Sequence, residues 1–228
     1  MNEIVYDEGD HFCVPAKEAG ESSTQIHQTW QAQHKEQASL IYPLDTGISG
    51  LLILAKTADA KRELRNAYGS NLFTFEFVLW AYVENELSEQ WDCDLSIAWD
   101  AYKHQAFPSK LKGKKACTQF KVEQRYNHYY RIRATVHYLR PQQIQLHAHY
   151  GHLEVLGDTR FSQKDHSVYL SYLKPGFKKS SDEKPLSSGL HIHLQHICFD
   201  FRGQHYNFSH PCPKDWVVLE KYFTRYLQ

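Results

Sequence analysis

No apolar run in this chain of 228 residues approaches the roughly 18 residues that a membrane-spanning helix needs, which excludes a helical membrane protein. An excess of one charge is missing too. Lys plus Arg equals Asp plus Glu at 26 each, so the net charge is zero. This argues against a chain that coats nucleic acid indiscriminately, because such binding rests on a basic surface. Cysteines are few and scattered, at Cys13, Cys93, Cys117, Cys198 and Cys212, and no two have metal-ligand spacing. They read as buried thiols in a reducing compartment. Residues 1–10 lack the basic-then-apolar pattern of a signal peptide, so the cytoplasm is the expected location. There is no internal repeat.

What is present suffices for a sizeable core: 42% of residues are apolar and 23% charged. Ile4-Val5-Tyr6 and His11 to Val14 read as short strands around a turn. Ser22, Ser23 and Thr24 can cap a helix from about Gln25 to Gln37, with Ile26 and Trp30 on one face. The run Gly50 to Ala55 reads as a buried strand. Thr57 is a good N-cap for a helix carrying Ala60, Leu64 and Ala67 on one face and stopping at Gly69. Phe73 to Val83 is β-rich. Thr118 to Val122, Arg131 to Tyr138 and Gln143 to His147 alternate apolar and polar residues, as half-buried strands do. Leu190 to Phe201 alternates with a phase slip near His196, which predicts a bulge. Lys174 to Ser188 reads as a mobile surface loop. The class is α+β around a mixed, mainly antiparallel central sheet with flanking helices and a central cleft.

One acid stands out. Asp45 lies in a polar turn, Tyr42-Pro43-Leu44-Asp45-Thr46-Gly47, just before the buried run. A carboxylate held at a sheet edge can act as a nucleophile or base. The plain structural reading is a turn residue bonding its own backbone.

The surrounding residues weigh against that plain reading. Leu44-Asp45 followed by Ser49-Gly50-Leu51-Leu52-Ile53-Leu54-Ala55-Lys56 resembles the signature of the RluA-type RNA pseudouridine synthases without a gap. Further matches follow in the family's order. Ile4 to Asp7 and Lys17 to Gly20 are similar to its opening strand and turn. Gly113 to Val122 and Arg140-Pro141-Gln142-Gln143-Ile144-Gln145-Leu146-His147 resemble two internal motifs. Gly157-Asp158, Leu190-His191 and Ser209-His210-Pro211 resemble later ones.

The resemblance implies the family's fold and one domain over residues 1–228, without a separate RNA-binding domain. It also implies RNA, ribosomal or transfer, as the partner, with no cofactor and no metal. Asp45 then corresponds to the nucleophile that attacks the sugar of a target uridine flipped out of its stack. Phe77, or Phe75 with a shift of one motif, stands where the family has a base-stacking tyrosine. Gln145 stands where it has an arginine paired with the aspartate, and Pro43 where it has another arginine. Phenylalanine can stack on uracil but cannot carry a proton. Arg140, Gln145 and Leu146 are the remaining expected substrate contacts, and a monomer is the expected state. A fold-retaining RNA-binding protein with weak or no catalysis is the alternative.

Other constellations are weaker. Asp45-Thr46-Gly47 is also the aspartic-protease triplet, but that chemistry needs two such loops and the chain has one. His147-x-His149-x-x-His152 and His191-x-His193-x-x-His196 have a metal-like spacing, without the carboxylate of a two-metal site. Lys110, Lys112, Lys114 and Lys115, beside Phe107, could hold phosphates while aromatics stack on bases, and Lys174, Lys178 and Lys179 flank Phe177 in the same manner. Both clusters are equally what a solvated loop looks like.

Overall fold

The computed structural model describes residues 3–34, 38–162 and 164–227. A hairpin opens the chain: β1 (Ile4–Glu8) pairs antiparallel with β2 (Phe12–Lys17), which is buried throughout. Helix α1 (Ser23–His34) buries Ile26 and Trp30 as its spacing predicts. The expected extension to Gln37 falls outside the described residues. The next strand is β3 (Ser39–Leu40).

The buried run after Asp45 is not one strand. It splits into β4 (Ser49–Leu51) and β5 (Leu54–Ala55), which both pair antiparallel with β2. Uniform apolarity hides the break, because all residues from Ser49 to Ala55 are buried on either side of it. Helix α2 (Ala58–Gly69) follows, capped by the Thr57 side chain accepting from the Ala60 N–H.

The centre of the sheet is β6 (Thr74–Tyr82). Then come β7 (Gln90–Cys93) and a separate hairpin of β8 (Ile97–Asp100) and β9 (Gln105–Pro108). Strands β10 (Thr118–Tyr126) and β11 (Tyr129–Val136) extend the sheet. After helix α3 (Gln143–Tyr150) the elements are β12 (Glu154–Val155), α4 (Leu170–Leu173), β13 (Ile192–Phe201), β14 (Gln204–Ser209) and α5 (Lys214–Tyr226). Lys174 to Ser188 carries no regular element.

Among the described residues twelve strands form one mixed sheet, with the path β3-β5-β2-β4-β13-β6-β11-β10-β7. The single parallel pairing joins β4 to β13, at His193↔Ser49 and Leu194↔Gly50. The predicted slip in β13 is present: its register against β6 shifts between Leu194 and His196. Side chains alternate across β6, so each face has its own core. Phe75, Phe77 and Leu79 pack toward α2 and α3. Val78 and Trp80 pack toward Trp216, Leu219 and Phe223 of α5, a helix that the sequence reading did not foresee.

One prediction is overturned outright. Gln143 to His147 is the body of α3, not a strand. The alternation of polar and apolar residues implied one wet face, yet every residue from Gln143 to Ala148 is buried. The polar ones are satisfied inside: Gln143 Nε2 donates to the Cys117 carbonyl and Thr118 Oγ1, and His147 bonds Thr118 Oγ1 and the Leu95 carbonyl.

Candidate active site

The turn around Asp45 is held from three sides. Ser23 Oγ, at the start of α1, accepts from the Leu44 N–H and donates to the Leu44 carbonyl, each at 3.0 Å. The Gly20 N–H donates to the Thr46 carbonyl at 2.8 Å. Lys17, at the end of β2 and only 1% exposed, points its ammonium at the carbonyls of Glu18, Thr46 and Ile48, at 3.2, 2.9 and 2.5 Å. A buried lysine thus replaces water around the inner side of the turn. Burial pushes its pKa down to about 8 against the pull of nearby carboxylates, while its three carbonyl acceptors favour the charged form.

The turn runs directly into β4, and Gly50 is what lets it do so. Its φ is +123°, and a Cβ there would lie 2.2 Å from the Leu194 carbonyl oxygen. Next to it, Ser49 Oγ bonds His193 Nδ1 at 2.9 Å inside the core. The Asp45 turn is therefore locked to β13, the neighbour of β6 in the sheet.

Asp45 itself is partly buried. Its Oδ2 accepts the main-chain N–H of Gln142 at 2.9 Å. Burial raises its pKa above the ordinary 3.8, and three groups counter this: the Gln142 N–H, then the charges of Arg160 and Lys17. Gln142 stands at the N-terminus of α3 in left-handed backbone, φ 56°. Its side chain grips the β8–β9 hairpin, accepting from the Ala106 N–H and donating to the His104 carbonyl.

The carboxylate faces a cavity of about 80 Å³, lined by Pro43, Asp45, Ile48, Phe77, Leu139, Arg140 and Ile144 among others. Roughly 300 Å³ is the lower limit for a pocket that encloses a drug-sized ligand, so this one is small by comparison. Its walls are mainly apolar and Asp45 is its one anion. A groove of about 1040 Å³ adjoins it, and Arg140 lines both. Lys114, Lys115 and His137 line the groove, together with Asp92 and Asp94.

The predicted site residues are partly brought together. Asp45, Phe77 and Arg140 share the cavity. Phe75 does not; it is buried two residues away against Tyr42 and Tyr68, with ring centroids 4.8 and 6.0 Å distant. Gln145 and Leu146 were expected beside Asp45, and the helical turn changes that. At 100° per residue the α3 side chain reaching the cavity is Ile144. Leu146 points instead into a small cluster with Ile97, Ala106 and Phe161. Gln145 is buried and is not among the cavity-lining residues. Asp45 accepts instead from the Gln142 backbone. Lys110 and Lys112 are exposed in the turn after β9, while Lys114 and Lys115 reach the groove. Lys17, Gln142 and Arg160 were missed. Each acts through a backbone bond or a through-space charge, for which residue type gives little signal.

Among the described residues no group of three or more His, Cys, Asp or Glu side chains could hold a metal ion. The paired histidines are separately engaged: His191 with Ser187 and the Leu156 and Gly189 carbonyls, His193 with Ser49 and the His210 carbonyl. No helix of the described residues is long and apolar enough to cross a membrane.

Residues 8–150 match the family model described as RNA pseudouridylate synthase. The chain is 24% identical over 188 residues to "Ribosomal large subunit pseudouridine synthase D" of Vibrio parahaemolyticus, covering 80% of this chain and 55% of that protein. It is 29% identical over 190 residues to an RNA pseudouridine synthase of Aquifex aeolicus, covering 81% and 53%. The match to "Dual-specificity RNA pseudouridine synthase RluA" of Haemophilus influenzae is 28% over 178 residues, covering 73% and 80%. The chain thus spans about half the length of the first two relatives. Among solved structures, the human "RNA Pseudouridylate Synthase Domain Containing 4" superposes with a TM-score of 0.75 at 16% identity, covering 97% of this chain and 92% of that one. Human "RNA Pseudouridylate Synthase Domain Containing 1" gives 0.72 at 14%, covering 93% and 84%. At such identities these likenesses speak to the fold alone.

Proposed function

Because this chain belongs to the RNA pseudouridylate synthase family, we propose that it isomerises uridine to pseudouridine in RNA, with Asp45 as the nucleophile. The observation that supports the proposal is Asp45 lining a small, mainly apolar cavity that shares Arg140 with a larger groove. A uridine reaches that depth only when flipped out of its stack, at a cost of a few kcal/mol.

The steps balance without an added reactant. A carboxylate oxygen of Asp45 bonds the sugar carbon as the bond to the base nitrogen breaks. The base turns over and rejoins the sugar through carbon, displacing the carboxylate. The proton on that carbon then leaves and one returns to nitrogen. Phe77 packs on the base and holds no proton. The regenerated Asp45 carboxylate is the titratable acceptor lining the cavity, and burial, which raises its pKa, suits it to that second task.

Ribosomal RNA is the substrate class we infer, because the relatives named for a target include ribosomal large-subunit enzymes. Transfer RNA is the second candidate. The test is incubation of the purified protein with ribosomal RNA and with transfer RNA, followed by chemical mapping of pseudouridine. Conversion at a discrete site supports the reading. Binding without conversion favours the alternative of a fold-retaining RNA-binding protein, to which the missing tyrosine hydroxyl at Phe77 lends weight.

A further inference from the structure

Two side chains from different parts of the chain converge on one carbonyl. The β8–β9 hairpin turns over at residues 101–104, and His104 has φ 48°. Its carbonyl accepts from Gln142 Nε2 at 3.1 Å and from Arg160 Nη1 at 2.9 Å. Gln142 is the residue whose main-chain N–H reaches Asp45. Arg160 is fixed at its other end as well. The buried Asp158 carboxylate accepts the N–H groups of Arg160 and Phe161, at 2.8 and 3.2 Å. Just before it, Gly157 packs so close to the Gly189 carbonyl that a Cβ would lie 1.8 Å from the oxygen. The Arg160 main chain is thus held by its own loop, and its exposed guanidinium is tied to the hairpin tip that also holds the N-terminus of α3.

We propose that Arg160 is a positioning residue for Asp45, supplying the fixed positive charge that keeps this carboxylate ionised in its partly buried site. The inference rests on Asp45 being the reacting group. Two other cations lie nearby, each also held by neutral groups, and the charge of Lys17 adds to that of Arg160 at Asp45. The Lys17 ammonium faces three carbonyls, and Arg140 donates Nε to the Lys115 carbonyl while stacking over Tyr138 at 5.0 Å. Gln145 is buried and uncharged. The charge of Arg160 favours the ionised form of Asp45, and its bond to His104 ties the position of that charge to the position of the Gln142 N–H.

The charge and the tether can be separated by substitution. Arg160→Gln keeps a donor for His104 and loses the charge, whereas Arg160→Lys keeps the charge and changes the donor geometry. The Asp45 carboxyl can be followed by carbon-detected NMR titration of protein labelled at aspartate, assigned with Asp45→Asn, so no RNA is needed. The expected result is an upward shift of the Asp45 midpoint in Arg160→Gln and a midpoint near wild type in Arg160→Lys. An unchanged midpoint in folded Arg160→Gln overturns the proposal, and so do equal shifts in both variants, which would leave only a structural tether. In turnover on ribosomal RNA, Arg160→Gln should lose more activity at pH 6 than at pH 8. If Asp45→Asn proves as active as wild type, the nucleophile reading fails, and the NMR result still stands by itself.

Discussion

Gln142 donates its main-chain N–H to Asp45 Oδ2 at 2.9 Å from left-handed backbone, φ 56°. For a residue other than glycine that conformation costs of order 1–3 kcal/mol, and it persists because the surroundings hold it. What holds it is the side-chain amide, clamped to Ala106 and His104 of the hairpin. The aim of one bond at the carboxylate is thus set by two bonds made some distance away.

Gln142→Ala removes the clamp and leaves the buried Ala106 N–H without its acceptor. The expected loss is about 1–3 kcal/mol of stability in urea unfolding. Turnover should fall further than stability explains, because the α3 N-terminus loses its orientation toward Asp45. A variant with wild-type turnover and a lower unfolding midpoint would reduce Gln142 to a purely structural part.

Gly50→Ala places a Cβ 2.2 Å from the Leu194 carbonyl oxygen in a backbone conformation that disfavours side chains. The parallel pairing of β4 with β13 has to break or shift, and the Asp45 turn moves with it. A destabilisation of about 3 kcal/mol or more is expected, read as poor soluble yield or a lowered melting temperature.

Much of this was legible in the sequence, and the exceptions share a cause. The slip in β13 showed because Ile192 and Leu194 fall in one register and Ile197, Phe199 and Phe201 in the other. The cap at Thr57 showed because a local hydrogen bond makes it. Helix α3 was misread because Gln143, Gln145 and His147 are polar yet buried, and burial of a polar residue depends on distant partners such as Thr118 and Leu95. Asp45 stood out by its place in a polar turn before a buried run, whereas Phe77 and Arg140 came from the resemblance to the family's motifs; the three line one cavity. Lys17 and Arg160 were not foreseen, because a lysine or arginine in sequence says nothing of which carboxylate it will face.

Lys17→Met strips three carbonyls of their donor and removes a charge near Asp45. We expect a loss of at least about 2 kcal/mol. The pH dependence should change too. In the wild type the native Lys17 loses its proton near pH 8 and the unfolded one near 10.5, so through this group stability rises across that window. The substituted protein should lack that rise in unfolding measured at pH 8 and pH 10.

Burial raises Asp45 above 3.8, so the native state binds this proton more tightly than the unfolded chain does. Through this group stability falls as pH rises past the unfolded value, and near neutrality the native protein carries a desolvated charge. Asp45→Asn removes that charge and keeps an oxygen for the Gln142 N–H. Its melting temperature at pH 7 should equal or exceed that of the wild type. Turnover in the wild type should show an acid limb centred above the range of an exposed aspartate.

Neutralising Lys114 and Lys115 together removes two groove cations. The slope of log affinity for ribosomal RNA against log salt should become shallower by about 1.5, from roughly 0.7–0.9 per phosphate contact. The same change at Lys110 and Lys112, which stand outside the groove lining, should have less effect. An unchanged slope for the first pair would remove the groove from the binding path.

The most direct test of the central claim is pseudouridine mapping of ribosomal RNA from cells that carry the wild-type protein, none, or Asp45→Asn at equal abundance. The account predicts at least one uridine modified with the wild type and unmodified in the other two. Restoration of that modification by Asp45→Asn would contradict it.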